Sequence, residues 1–352
     1  MEHAAAIWLA ERELMVRAKA PYILERRDAW PDNLILPALA KHVRSEREGF
    51  PLHPWVHHGL SSQAMLFNLL LPLIERDAVD DLRPALPLMP RVPRARLEVE
   101  DRSVFNETRG QPTSLDAAIE GDGVPLFVEA KLAETGFGGC GQVESGDCDG
   151  RSPARDHDGC PLHRLGRSYW TRLDELGFDL DRGPFCAMAS NYQFFREAAF
   201  ALHQGGHLVL LVHDDNPAFW SEGGARGLWP LLLELVPSVH RDRLHRVPLR
   251  AVVEALRQSG RHEDWLDDFE RRYGLLRAQG AEEVLAGLPA TTVASIRTLW
   301  TRLEGGKARG VDGGSLQARI SGLLKASGLD RSDPRWIAVI EHGRRLYRGP
   351  SR

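Results

Sequence analysis

Residues 114–131 read Ser-Leu-Asp-Ala-Ala-Ile-Glu-Gly-Asp-Gly-Val-Pro-Leu-Phe-Val-Glu-Ala-Lys. Leu115, Ala117 and Ile119 alternate with Ser114, Asp116 and Ala118, the period of two expected of a strand with two different faces. Gly121-Asp122-Gly123 marks a tight turn. A second apolar run, Val124 to Leu132, is broken only by Glu129 and Lys131. These two are two residues apart, so on a strand they project from one face. A carboxylate and an ammonium in an apolar strand are costly to bury unless each finds a partner. If Asp116 lies beside them on the neighbouring strand, three polar groups converge on one spot.

That convergence suits metal-dependent phosphodiester cleavage. Two carboxylates can hold a hard divalent cation through oxygen, the cation polarises the phosphate and acidifies a water, and a lysine offsets charge developing in the transition state. The pattern of Asp116, a dozen residues, then Glu129-x-Lys131 resembles the PD-(D/E)xK nuclease superfamily. The resemblance implies Asp116 and Glu129 as ligands of Mg2+ or Mn2+ and Lys131 as the catalytic lysine. The proline of that motif has no clean counterpart, since Pro112 stands four residues before Asp116. A wider ordered set comprises Ser61-Ser62-Gln63-Ala64 with the apolar Met65–Leu73, then Glu129-Ala130-Lys131, Phe137-Gly138-Gly139-Cys140, Tyr169-Trp170 and Tyr192-Gln193-Phe194-Phe195-Arg196. Over roughly residues 50–275 it is similar to a bacterial family of restriction-endonuclease-like proteins in the same superfamily. The implied function is a Mg2+-dependent deoxyribonuclease acting in restriction or phage defence. The alternative is a non-catalytic nucleic-acid-binding or partner-binding protein that keeps the nuclease fold.

The chain has 352 residues and a formal net charge of −4, which excludes a protein that coats nucleic acid by bulk positive charge. No stretch of about 18 apolar residues is present to span a membrane. Glu2 and His3 stand where a signal peptide carries basic residues. The expected location is cytoplasmic, and assembly into a homo-oligomer is left open. The expected fold is α/β, a restriction-endonuclease-like mixed sheet flanked by helices over residues 1–276. Helices precede the sheet, and a cysteine-containing insert occupies about 138–188. Residues 290–352 are expected to form a small basic α+β module, either a winged-helix-like DNA-binding unit or an oligomerisation or packing appendage.

The flanking segments refine this. Residues 5–50 read as helical with a bend around Pro21 and Pro31, and 84–93 as a proline-rich connection. Residues 61–76 read as a buried helix capped by Ser61 or Ser62. Its polar Gln63 is either a first-turn side chain or, by the superfamily resemblance, an auxiliary group near the metal. Arg94–Val99 alternates as the first strand of a meander, with Glu98 and Glu100 on one face and Glu100 a candidate further acid. The helix over 190–203 carries Gln193 and Arg196 on one face, and the resemblance makes Gln193 a candidate for substrate contact. Gly206–Val212 reads as a buried strand.

All four cysteines, Cys140, Cys148, Cys160 and Cys186, fall in the insert. A cytosolic chain keeps thiols reduced, so a metal staple is expected, with Zn2+ on four thiolates as the simplest version. His163 is a substitute ligand; the superfamily resemblance makes an iron–sulfur cluster one rival, and an insert without metal is the other. Residues 277–352 carry thirteen Arg and Lys against seven Asp and Glu. Two helices, the second capped by Ser315, and a hairpin around His342-Gly343 are expected there, with Arg344, Arg345 and Arg348 as DNA-binding candidates.

Overall fold

The alternating stretch at 114–119 and the apolar run after it build the second and third strands of a five-stranded sheet. The computed structural model describes residues 1–45, 52–86, 90–108, 110–153, 157–180, 183–220, 227–275, 284–304, 310–329 and 333–348. Helix α1 (Glu2–Glu11) and a hairpin of β1 (Val16–Arg17) and β2 (Ala20–Leu24) lead to α2 (Ala40–Ser45) and α3 (Ser62–Glu75). Strands β3 (Arg91–Asp101), β4 (Thr113–Asp122) and β5 (Leu126–Lys131) form an antiparallel meander. The short helices α4 (Gly141–Glu144), α5 (Pro161–Arg164) and α6 (Tyr169–Glu175) precede the long α7 (Ala187–His203). This last helix returns the chain to β6 (His207–Val212), parallel to β5. Helix α8 (Leu228–Glu234), strand β7 (Leu244–Pro248), parallel to β6, and helices α9 (Leu249–Ser259) and α10 (Glu263–Tyr273) follow. The strand order is β3-β4-β5-β6-β7.

Each face of the sheet is covered, as parallel strands require. Ile119, Val128, Val209 and Leu211 pack on α3 and α9, and Phe127, Leu208 and Leu210 pack on the α7 side with Phe194 and Ala198. Helix α3 is apolar nearly all round, so it is buried nearly all round. The Ser61 hydroxyl caps it by accepting from the Ala64 N–H at 3.2 Å. The turn from α7 into β6 needs two glycines. Gly205 takes φ +71°, and a Cβ on Gly206 would stand 2.6 Å from the Phe127 ring and 2.7 Å from the Pro125 carbonyl oxygen.

The structure corrects the expected tail. Residues 337–348, expected as a hairpin, lie in a helix, Pro334–Arg348, packed with helices Ala290–Leu303 and Gly313–Ala326 around Ile296, Trp300, Leu303, Ile320, Leu324 and Val339. The described part of the module is therefore helical rather than α+β. Gly343 misled as a turn signal. A Cβ there would meet Gln317 Nε2 at 2.8 Å and Leu303 at 3.2 Å, so the glycine permits close helix packing. The second helix is capped by Asp312, whose carboxylate accepts from the Ser315 N–H at 3.2 Å, rather than by Ser315. Arg344 is exposed on the third helix; the side chains of Arg345 and Arg348 lie outside those described. Around Pro21 the expected bend is the β1–β2 hairpin. Residues 46–51 and 87–89, parts of the expected helical and proline-rich segments, lie outside the described residues, as do 305–309.

One buried side chain ties the N-terminal segment to the sheet layers. Asn68 of α3, 3% exposed, accepts from the Ile35 N–H at 2.6 Å and donates to the Asn33 carbonyl at 3.2 Å and the Tyr273 hydroxyl at 2.9 Å. Replacing it by Ala strands the Ile35 donor and the Asn33 acceptor in an apolar setting. Asn68→Ala is expected to lower unfolding free energy by about 2–3 kcal/mol, read as a lower urea midpoint with unchanged slope.

Candidate active site

Pairing between β4 and β5 runs from Ile119↔Leu126 to Ala117↔Val128 and stops there. One residue further, Asp116 and Glu129 would be opposite each other. The strands part instead, and the Asp116 carboxylate enters the gap and accepts from the Ala130 N–H at 2.9 Å. Glu129 and Lys131 project from the face that α7 covers, and both are 5% exposed. The sequence-derived trio is therefore brought together at the ends of two splayed strands.

Helix α7 supplies the rest. It breaks at Asn191, whose φ of −137° and ψ of 35° are not helical, and resumes at Tyr192. The N–H groups of Tyr192 and Gln193 donate to the carbonyls of Gly138 and Phe137, each at 3.1 Å. The loop leaving β5 is thus fastened to the restarted helix, and Gln193 is aimed at the sheet. Its side-chain carbonyl accepts from Lys131 Nζ at 2.8 Å, while its NH2 donates to Glu129 Oε1 at 2.6 Å. Lys131 Nζ also donates to Glu129 Oε1 at 2.9 Å, closing a ring of three side chains.

One turn beyond Gln193 stands Glu197, which the sequence reading missed. It is 0% exposed, and its carboxylate oxygens meet no donor in good hydrogen-bond geometry among the described residues, with the Gln193 side chain close enough to favour the charged form. Burial first, then the neighbouring Glu129, hold the Glu197 carboxyl well above the usual carboxylate range, against the pull of Lys131 and Arg196. Asp116 is raised in the same way, by desolvation and then Glu129. Burial alone would lower the Lys131 ammonium. The carboxylates of Glu129, Glu197 and Glu134 outweigh it and raise that group, which favours its ammonium form. The signal that could have found Glu197 is its i+4 spacing from Gln193 on one helix.

The other candidates are placed elsewhere. Gln63 lies on α3, across the sheet from α7, and accepts from the His53 N–H at 2.9 Å. This first-turn contact holds the His53 loop, whose imidazole, lowered chiefly by burial, also feels Glu134 and Lys131. Glu98 and Glu100 do not share a face. Glu98 takes a left-handed φ of +44° that breaks the alternation and is buried, whereas Glu100 is exposed opposite Ser114. Arg196 parts company with Gln193 and turns to the buried Glu107, 3.9 Å away, stacking 5.1 Å from the Tyr192 ring. Glu107 also accepts from Tyr169 and from the Thr113 N–H at the start of β4.

Among the described residues no three His, Cys, Asp or Glu side chains are arranged to hold a metal ion by themselves. The donor set still fits a hard cation. Asp116 and Glu129 offer two adjoining carboxylates, and Mg2+ commonly takes one or two from the protein and the rest from water and phosphate.

The family described as Restriction Endonuclease associating with ARP matches residues 1–274. The chain belongs to that family. No curated protein and no solved structure matches the chain. Membership in this restriction-endonuclease-associated family points to a nuclease-related role, and the mixed sheet flanked by helices is compatible with a nuclease-like fold. Among the described residues, no helix of this family member is long and apolar enough to cross a membrane.

The raised Glu197 carboxyl has a consequence for stability. Between the ordinary carboxylate pKa and its raised value the folded state binds more protons than the unfolded state, so stability falls as pH rises. In chelator at neutral pH, Glu197→Gln is expected to stabilise the fold by about 1–3 kcal/mol. That advantage should shrink towards about pH 3, where the wild-type carboxyl is largely protonated in both states. Denaturant titrations at the two pH values check both the sign and the convergence.

Proposed function

We propose that this protein is a PD-(D/E)xK-type nuclease that hydrolyses phosphodiester bonds in DNA with Mg2+ or Mn2+, in restriction or phage defence. The observation that carries the reading is the splayed β4–β5 junction, where Asp116 meets the Ala130 N–H and Glu129 is bonded to Lys131. Family membership supports the setting. Three buried or half-buried carboxylates, Asp116, Glu129 and Glu197, face one ammonium, leaving a site negative by about two charges when all are ionised. That imbalance favours a divalent cation.

The roles follow from the contacts. Asp116 and Glu129 would hold the cation, which supplies Lewis acidity at the phosphate and acidifies a water. Lys131, kept protonated by its acidic neighbours, directs two N–H groups to Glu129 and Gln193. Its third N–H can meet a phosphate oxygen and stabilise charge as it develops. Gln193 acts on both residues at once as a positioning residue, fixing the rotamers of Glu129 and Lys131 before substrate arrives. The basic tail, with Arg344 exposed, is proposed to add phosphate attraction that the acidic core does not supply.

Plasmid and linear DNA incubated with Mg2+ or Mn2+ should be cut, and chelator should abolish cutting. Lys131→Ala and Asp116→Ala should each reduce the single-turnover rate about a thousandfold or more, with the fold retained. Cleavage by Lys131→Ala at the parental rate would overturn the assignment.

Removing residues 290–352 is expected to weaken DNA binding and flatten its dependence on salt, because fewer counterions are released. Metal-dependent cutting at low salt should persist. Binding titrations over a salt series decide the first point, and a cleavage assay of the truncated chain decides the second.

A further inference from the structure

The four cysteines lie outside the Asp116–Lys131 site, and the reading of that site does not use them. Their backbone setting is closely interlocked. The Cys140 N–H donates to the Ala189 carbonyl in the first turn of α7 at 2.9 Å, and the Cys186 N–H donates to the Gly150 carbonyl at 2.8 Å. The Gly150 N–H is in turn directed at Cys148 Sγ, 3.5 Å away. Cys140, Cys148 and Cys186, far apart in sequence, are therefore tied into one patch of backbone. Cys160 and Cys186 each pack against the apolar cluster that contains the α7 residues Phe194 and Ala198. The thiols also act on one another electrostatically: Cys148 and Cys160 on Cys140, and Cys160 and Cys140 on Cys186.

The Gly150 N–H faces Cys148 Sγ; the backbone N–H groups of Gln142 and Val143 act to lower the Cys140 thiol and those of Met188 and Ala189 the Cys186 thiol, Val143 and Ala189 while donating to the carbonyls of Cys140 and Cys186 at 2.9 and 3.0 Å. Such contacts favour thiolate over thiol. Burial opposes them, holding Cys140 above its ordinary pKa and pushing Cys186 up to about 11. All four are free thiols rather than disulfides. At Cys140 and Cys186 burial thus outweighs the hydrogen bonds that favour the thiolate.

We propose that Cys140, Cys148, Cys160 and Cys186 together bind one thiophilic metal centre, four-thiolate zinc or iron–sulfur, that clamps the insert onto the N-terminal segment of α7. As they stand the side chains do not close round a single ion, so binding includes rotation of the thiols about their Cα–Cβ bonds. The clamp would hold the short segment of α7 that precedes the break at Asn191, and Gln193 follows that break by two residues. Thiolate ligands select zinc and iron–sulfur centres over the hard cation proposed for the carboxylates, so one chain would carry two metals of different chemistry.

The test uses the full-length protein, expressed with zinc and iron both supplied and purified without oxygen or chelator. Metal and acid-labile sulfide are measured per chain, together with the rate at which a disulfide reagent modifies the native thiols. The expected result is about one zinc per chain in a colourless preparation, or iron with matching sulfide in a brown one. In either case the thiols are protected until metal is withdrawn, and melting temperature falls with that withdrawal. Cys148→Ser should lose the metal while far-UV circular dichroism is kept; if that variant misfolds, wild-type metal content and thiol protection still decide. A metal-free preparation whose thiols react at once overturns the proposal, as does a folded Cys148→Ser that retains the full metal content. Neither readout involves cleavage, so the outcome is independent of the nuclease reading.

Discussion

The constraint on which the site depends is an ammonium buried in the middle of a sheet. Lys131 ends the central strand β5, 5% exposed, and must be neutralised where it stands. Glu129 does this from the same strand, and Glu197 and Glu134 add to it from outside the strand. A buried cation of this kind is tolerable only when hydrogen bonds and opposite charge both reach it. Those partners come from α7 and from the loop after β5, so neutralising one side chain fixes where a helix and a loop must lie.

The break in α7 is how the helix meets that demand. A continuous helix would spend the N–H groups of Tyr192 and Gln193 internally. Restarting at Asn191 frees them for Phe137 and Gly138, two residues of the loop that follows β5. The same region is braced from behind, where Glu107 receives Tyr169 and the Thr113 N–H and lies beside Arg196. Asp116 is three residues along β4 from Thr113, so the brace and the site share a strand.

An excess of buried negative charge opposes folding, and Glu197 is its clearest case: fully buried, meeting no donor in good hydrogen-bond geometry among the described residues, and with its carboxyl pushed towards the neutral form. Such an arrangement makes little sense as a contribution to stability. On the proposed reading, a bound cation would offset that charge. In the insert, burial acts in the same direction on softer groups, holding the Cys140 and Cys186 thiols above their ordinary range.

The reach of the sequence can be judged residue by residue. Asp116, Glu129 and Lys131 were legible because strand alternation follows from covalent geometry, and a spacing of two places Glu129 and Lys131 on one face wherever the strand lies. The β3–β4–β5 meander, α3 with its Ser61 cap and β6 were legible for the same local reason. Other features answer to contacts that spacing does not encode. Gln63 reads like Gln193, a glutamine near a helix start, yet one lies on a helix across the sheet and the other bonds to Lys131. Strand β7 goes unnoticed in the sequence, and Gly343 reads as a turn until two neighbouring helices press against it. Local pattern set which residues could act together. Which of them meet was decided by the packing of α7 on the sheet, because the free energy of burying Lys131 and Glu197 depends on groups more than sixty residues away in the chain.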